Sequence, residues 1–327
     1  MQDLFICITP LELLIAEKII KFKKLQKNKC KIIFFIDEKN KRNNFYLSRI
    51  KKIARGSQFF LLNKYRYPVY FFKLNNLVQK YHIRHIYIAA IDSSLIQFIL
   101  SKNNYNKIFT FDDGIGNLTK KYNMDFNLPL YKKFLYALVG NRYNKQRILL
   151  ESSDHFTIYK GKKNNFSKKP IFIGQLFNNI RFHGKKSCSL IIGPVFKDLF
   201  NESELDKLNY IISKYKIFLS KISNKEKTYV MNHPREMNFK YNLINITKIQ
   251  SKFLAEDYIY KILSNKYKSV NLFSFPVSTV TINLEHVKNV KNFFLYSAKN
   301  SERSFEAIKV VNKMNLNYKY CNLDKIK

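Results

Sequence analysis

Apolar runs of four to seven residues recur along the chain. Each is followed by a stretch whose apolar residues return every three or four positions. "DLFICI" reads as a buried strand, and "TPLELLIAEKII" then opens a helix with Thr9 as N-cap, Pro10 at the first helical position and Glu12 completing a capping box. The same alternation returns. "KIIFFI" precedes a polar helix over 44–53, "QFFLL" precedes "VYFFKLNNLVQK", and "RHIYIAA" precedes "DSSLIQFILSK". "KIFTF" is the next strand, and it runs into "DDGIGNL".

The second half repeats this grammar. "SLIIGP", "TYVM" and "SVNLFSF" read as strands, and "ELDKLNYIISKYKIFLSK", "LAEDYIYKILSN" and "SFEAIKVVNKM" as helices. Short β-rich runs alternating with helices predict parallel sheets covered on both faces. The polar stretch "YKGKKNNFSKKP", 159–170, is the expected hinge, so two Rossmann-like domains are expected, over 1–165 and 166–327, facing a cleft at the carboxyl ends of their strands. A length of 327 residues suits two such cores.

Composition narrows the function classes. With 46% hydrophobic residues the chain can bury a core, which argues against wholesale disorder. A formal charge of +36 invites an anionic partner. The lysines are scattered rather than gathered in a block, however, and no motif interleaves them with exposed aromatics, so a nucleic-acid-binding protein is disfavoured. Four cysteines stand far apart with no C-x-x-C pair, which fits neither a zinc ribbon nor a disulfide scaffold. The amino terminus is interrupted by Asp3, Glu12 and Glu17, and no other run reaches spanning length. The expected location is the cytoplasm, with any membrane contact peripheral.

Candidate chemistry gathers at predicted strand ends. At the end of "KIFTF", Asp112 and Asp113 turn their side chains to opposite sides, so one can face the cleft while the other binds turn amides, and Gly114 permits a tight bend. "YVMNHPRE" sets His233, Pro234, Arg235 and Glu236 directly after a strand, where an imidazolium can donate to a departing phosphate. Ser278 and Thr279 in "SFPVSTVTIN" stand where hydroxyls and helix N–H groups either hold a phosphate or simply cap the helix. There is no P-loop, no three-glycine dinucleotide fingerprint, no D-x-D pair and no ligand-spaced His/Cys cluster, which favours a site with no metal and no cofactor.

In their order, "DLFICITPLELLIAEKII", "RHIYIAAIDSSLIQFIL", "TFDDGIGNL", "SDHFTIYKG", "NHPRE" and "AEDYI" resemble glycosyltransferase family 52, the bacterial lipooligosaccharide sialyltransferases. The resemblance implies a GT-B fold and inverting, metal-independent transfer of sialic acid from CMP-sialic acid to a sugar hydroxyl. It implies that His233 is the acid on the CMP phosphate, that Ser278 and Thr279 hold that phosphate, and that Glu256 lies near the ribose. Gly193, Pro234 and Arg235 fall on the donor side, and Thr9, Pro10 and Gly114 on the acceptor side.

The family's base is an Asp just after the glycine of the second domain's first strand; here a gapless match places Phe196 there, with Asp198 the nearest acid. The base is therefore Asp198 or Asp113, with Asp198 slightly preferred because it lies on the family's segment. A hexosyltransferase on the same scaffold is the rival reading. The partners expected are the CMP-sialic acid donor, a lipid-linked oligosaccharide acceptor and an anionic membrane surface, with a homodimer left open.

Overall fold

A computed structural model describes residues 1–62, 69–114, 134, 136–138, 140–161, 170–178, 180–200, 202–233, 245–275, 277–300, 302–312 and 318–326. The chain divides into two compact units, Met1–Leu176 and Phe177–Lys327.

Unit 1 holds a seven-stranded sheet among the described residues. Its strands are β1 (Gln2–Cys7), β2 (Cys30–Ile36), β3 (Gln58–Leu61), β4 (Ile83–Ile88), β5 (Lys107–Phe111), β6 (Ser152–Thr157) and β7 (Ile171–Phe172), in the order β3-β2-β1-β4-β5-β6-β7. Every pairing is parallel. Helices α1 (Pro10–Phe22), α2 (Lys41–Lys51), α3 (Val69–Val78) and α4 (Ser94–Lys102) make the crossovers, and α5 (Lys145–Glu151) leads into β6. The central strands are buried on both faces, which is why they read as unbroken apolar runs. Leu4, Ile6, Ile33, Ile86 and Ile88 join one core with Leu74 of α3 and Ile96 and Ile99 of α4. Phe5 alternates to the other face and stacks on Tyr87 at 4.2 Å.

Unit 2 repeats the plan with six parallel strands among the described residues: β8 (Ser187–Ile192), β9 (Thr228–Met231), β10 (Ile246–Lys248), β11 (Ser269–Ser274), β12 (Val290–Tyr296) and β13 (Tyr318–Asn322), ordered β10-β9-β8-β11-β12-β13. After β8 come the one-turn α6 (Phe196–Leu199) and the long α7 (Leu205–Lys225), whose Ile211, Tyr215, Phe218 and Leu219 pack on Ile191, Val230, Phe273 and Leu295. Helix α8 (Ala255–Tyr258) runs through a π turn, Ile259–Leu263, into α9 (Ser264–Lys266). The short α10 (Thr279–Asn283) follows β11, and α11 (Glu302–Asn312) follows β12.

This is the two-Rossmann architecture of the GT-B fold, with each unit an α/β layer around a parallel sheet. The division after Leu176 lies beyond the expected 165/166 boundary because β7 pairs with β6, at Phe156↔Ile171 and Thr157↔Phe172, and so binds 171–172 to unit 1. Most of the expected hinge, 162–169, lies outside the described residues. The polar helix expected over 44–53 begins earlier, at Lys41, where the Asn40 side chain caps it by accepting from the Asn43 N–H at 2.8 Å.

Candidate active site

In unit 1 the candidate residues gather at the carboxyl ends of β1 and β5. Thr9 is extended, with φ −119° and ψ 154°, and its Oγ1 accepts the Glu12 N–H at 3.2 Å. Glu12 closes the capping box in return. Its Oε1 accepts the Thr9 N–H at 3.2 Å and the Thr9 hydroxyl at 3.0 Å, and its Oε2 accepts the Ile8 N–H at 2.9 Å. Pro10 occupies the first turn, where no N–H is needed. The Thr9 hydroxyl, expected on the acceptor side, is thus engaged by the helix cap.

Asp112 and Asp113 part company as the alternation of a strand requires. Asp112 is completely buried. Its Oδ2 accepts the Ile158 N–H at 2.7 Å, and its Oδ1 lies 3.1 Å from His155 Nε2. The other imidazole nitrogen, Nδ1, lies 3.0 Å from Thr110 Oγ1. Asp112 therefore ties the end of β5 to β6, and the amide it binds belongs to the residue after β6 rather than to the turn after β5. That geometry is structural: both carboxylate oxygens are occupied and neither is open to a substrate.

Asp113 is half-buried, directly after Asp112. Burial first, and then the charge of Asp113, hold the Glu12 carboxyl well above the usual carboxylate range. Gly114 follows at φ +67°, in the left-handed region that a side chain resists, and so lets the chain turn directly after the acid.

In unit 2 the candidates cluster at the same ends of the second sheet. Gly193 follows β8, and its N–H donates to the Met231 carbonyl at 2.9 Å. Phe196, at the family's acid position, is a core residue, with ring centroids 6.0 Å from Tyr215 and 6.2 Å from Phe275. Asp198 lies on α6, and its side chain is outside the described residues. His233 is half-buried two residues beyond β9, while Pro234, Arg235 and Glu236 lie outside the described residues.

Glu256, on the first turn of α8, is buried and accepts from Asn283 Nδ2 at 2.8 Å. Ser278 caps α10, accepting the Val280 N–H at 3.3 Å, and its carbonyl accepts the Thr281 hydroxyl at 2.6 Å. Thr279 is the first residue of that helix and is half-buried. Helix α10 thus joins the Ser278-Thr279 pair at one end to Glu256 at the other, through Asn283.

Sequence reading missed three of these participants. His155 and Asn283 carry no local signal, since their partners are distant in sequence. Asn232 is buried beside His233, and neither amide atom has a hydrogen-bond partner among the described residues. Its position between an apolar strand and a histidine was the available clue. No group of three or more His, Cys, Asp or Glu side chains arranged to hold a metal occurs among the described residues.

Comparison with known proteins bears on the family and the fold. The model of glycosyltransferase family 52 matches residues 27–299. A CMP-N-acetylneuraminate:beta-galactoside alpha-2,3-sialyltransferase of Pasteurella multocida is 28% identical over 295 residues, 88% of this chain and 90% of that protein. An N-acetyllactosaminide alpha-2,3-sialyltransferase of Haemophilus influenzae is 27% identical, over 90% of this chain and 92% of its own.

Among solved structures, TcCGT1 in complex with UDP superposes with a TM-score of 0.52 at 8% identity, covering 98% of this chain and 86% of its own. A UDP-glucosyltransferase from Polygonum tinctorium gives 0.51 at 10% identity, covering 95% and 83%. At such identities the structures speak to the fold, and the family model speaks to descent. The match spans the Asp112-Asp113 pair, His233, Glu256 and the Ser278-Thr279 pair, and on it the chain belongs to glycosyltransferase family 52.

Proposed function

We propose that this glycosyltransferase is a sialyltransferase, moving sialic acid from CMP-sialic acid to a terminal galactoside of a lipooligosaccharide or related surface glycan. The observation that carries the reading is the likeness to two sialyltransferases, over 88% and 90% of this chain and 90% and 92% of theirs.

Unit 2 takes the donor. His233 at the end of β9 meets the phosphate, Ser278 and Thr279 with the first amides of α10 hold it, and Glu256, steadied by Asn283, meets the ribose; Gly193, Pro234 and Arg235 complete this side. A phosphate monoester has a second pKa of about 6, so CMP leaves readily and His233 need only stabilise the charge that develops on it. That work is done by fixed donors and needs no metal.

Unit 1 takes the acceptor near Thr9, Pro10, Asp113 and Gly114. A carboxylate there, or Asp198, removes the acceptor's proton as its oxygen attacks the anomeric carbon from the side away from the phosphate. Configuration is inverted as a result. With Phe196 packed in the core, an acid at the family's own position is missing, and the half-buried Asp113 is an alternative on the acceptor side.

No helix of the described residues is long and apolar enough to cross a membrane. The charge of +36 supports a peripheral station on the inner face of the cytoplasmic membrane, beside a lipid-linked acceptor.

The deciding assay measures nucleotide release from CMP-sialic acid and from UDP-glucose, with and without N-acetyllactosamine, in EDTA. CMP release stimulated by the acceptor supports the proposal. UDP release with no CMP release would assign the protein to hexosyl transfer, and loss of CMP release on chelation would overturn the metal-independent mechanism.

A further inference from the structure

Asn232 directly follows β9 and is only 8% exposed. Neither its Nδ2 nor its Oδ1 has a hydrogen-bond partner among the described residues, whereas Gln2, Asn75, Asn292 and Asn300 each leave a single buried amide atom unmet. A buried amide that gives up water on both atoms and gains no partner costs stability, so it calls for a compensating contact. The sheet does not supply one. β8 and β9 stay paired through Ile192↔Met231, and the Gly193 N–H donates to the Met231 carbonyl at 2.9 Å, which brings Gly193 level with Asn232. Glycine has no side chain to offer it.

Ser274, the last residue of β11 on the other side of β8, is also buried with its hydroxyl unmet. Two strand ends flanking β8 therefore hold buried polar groups without partners among the described residues. The strand order of unit 2 changes direction between β8 and β11, where open α/β sheets bind ligands beyond the carboxyl ends of their strands.

The amide itself defines the missing partner. Nδ2 donates hydrogen bonds and Oδ1 accepts them, so a group that meets both carries an acceptor and a donor side by side. A phosphate or a carboxylate only accepts and would leave Oδ1 unmet. The edge of cytosine has the two together, an amino group next to a ring nitrogen, the pattern that asparagine reads bidentately on adenine. We propose that Asn232 binds the cytosine of the donor: Nδ2 donates to the ring nitrogen and Oδ1 accepts from the amino group. The inference rests on the CMP-sialic acid reading given above, and adds a residue for the base to those for the phosphate and ribose.

The test measures dissociation constants for CMP, for CMP-sialic acid and for ribose 5-phosphate, which lacks the base, in wild type, N232L and N232A, with the melting temperature of each free protein. Wild type should bind CMP more tightly than ribose 5-phosphate. Both variants should lose ~10- to ~10²-fold in affinity for CMP, the worth of one bidentate pair, and keep the wild-type affinity for ribose 5-phosphate. N232L replaces an unmet amide by an apolar group of similar size, so without ligand it should melt no lower than wild type.

An equal loss for CMP and ribose 5-phosphate would place Asn232 at the phosphate or in the framework and overturn the inference. A loss seen with CMP-sialic acid but not with CMP would move the contact to the sialyl group and overturn it too. Should N232L fail to fold, N232A decides by the same affinities. Wild type that binds UDP but not CMP would remove the sialyl-donor reading and this inference with it. Wild type that binds CMP no better than its variants do overturns the inference alone.

Discussion

Asn283 donates a 2.8 Å hydrogen bond to Glu256 across the interior of unit 2, and both side chains are buried. The bond connects α10, which begins at the Ser278-Thr279 pair, with α8, which carries the proposed ribose acid. Asn283→Ala should cost about 1–3 kcal/mol, the usual range for removing one partner of a buried polar pair. It should also raise the KM for CMP-sialic acid while leaving the KM for acceptor in place. A rise confined to the acceptor would break the link between Asn283 and the donor.

Asp112 serves the sheet. Removing its carboxylate in Asp112→Ala takes one partner each from the Ile158 N–H and the His155 imidazole, at about 1–3 kcal/mol apiece. Melting should fall by several degrees, and Asp112→Asn, which can still accept the amide, should fall less. The protein that remains folded should turn over normally. A collapse in kcat with an unchanged melting point would return Asp112 to the chemistry.

His233→Ala should lower kcat by ~10²–10⁴, the range of a general acid or base, with melting unchanged. Asp198→Asn and Asp113→Asn, measured alongside, identify the base as whichever loses turnover by a comparable factor. Full activity in His233→Ala would leave the leaving group without its acid and sink the assignment.

Asp324 gives a pH signature to unit 2. Burial pushes its carboxyl up, but the Ala298 N–H and Ser297 hydroxyl, each at 2.7 Å, with Tyr210 and Lys214, outweigh burial and hold it below its ordinary value. A carboxyl lowered in the folded state contributes stability above its unfolded pKa and loses it as pH falls through the folded value. Urea unfolding of wild type and Asp324→Asn should therefore differ most near neutral pH and converge in acid. A gap that stayed constant with pH would show the contribution to be packing rather than charge.

The net charge of +36 predicts binding to anionic phospholipid vesicles that weakens as salt rises, because screening shortens the reach of surface charge. Sedimentation at low and high salt checks this. Binding indifferent to salt, or absent at low salt, would count against a membrane station.

What the sequence makes legible here is local. The Thr9-Pro10-Glu12 signature places the start of α1 because a capping box is built from residues three apart, and the buried central strands announce themselves as apolar runs. Strand β6 stays hidden because "SSDHFT" carries Asp154 and His155 within it. His155 is accommodated in a buried strand by Thr110 on β5 and Asp112 just beyond it. Strand β7 has two residues and no period to read.

The candidate site divides in the same way. Each motif at a strand end is visible alone, yet pairings such as Asp112 with His155 and Glu256 with Asn283 join residues that only the fold brings together. Alternation separates Asp112 from Asp113 in the sequence, but the partners that bury Asp112, His155 and the Ile158 N–H, lie more than 40 residues away.

The wholly parallel sheets carry a consequence for how this chain is made. A parallel pair cannot form through a hairpin, so each contact waits for a crossover to be completed. β1 pairs with β4, at Gln2↔Ile83, only after two intervening strands and three helices have left the ribosome. Until then one apolar edge of β1 stays open as a template for the wrong strand. Non-local pairing of this kind folds slowly and exposes intermediates to aggregation. Expression at reduced temperature, or with a chaperone that shields nascent strands, should raise the recovered yield of folded enzyme more than any change of buffer after lysis.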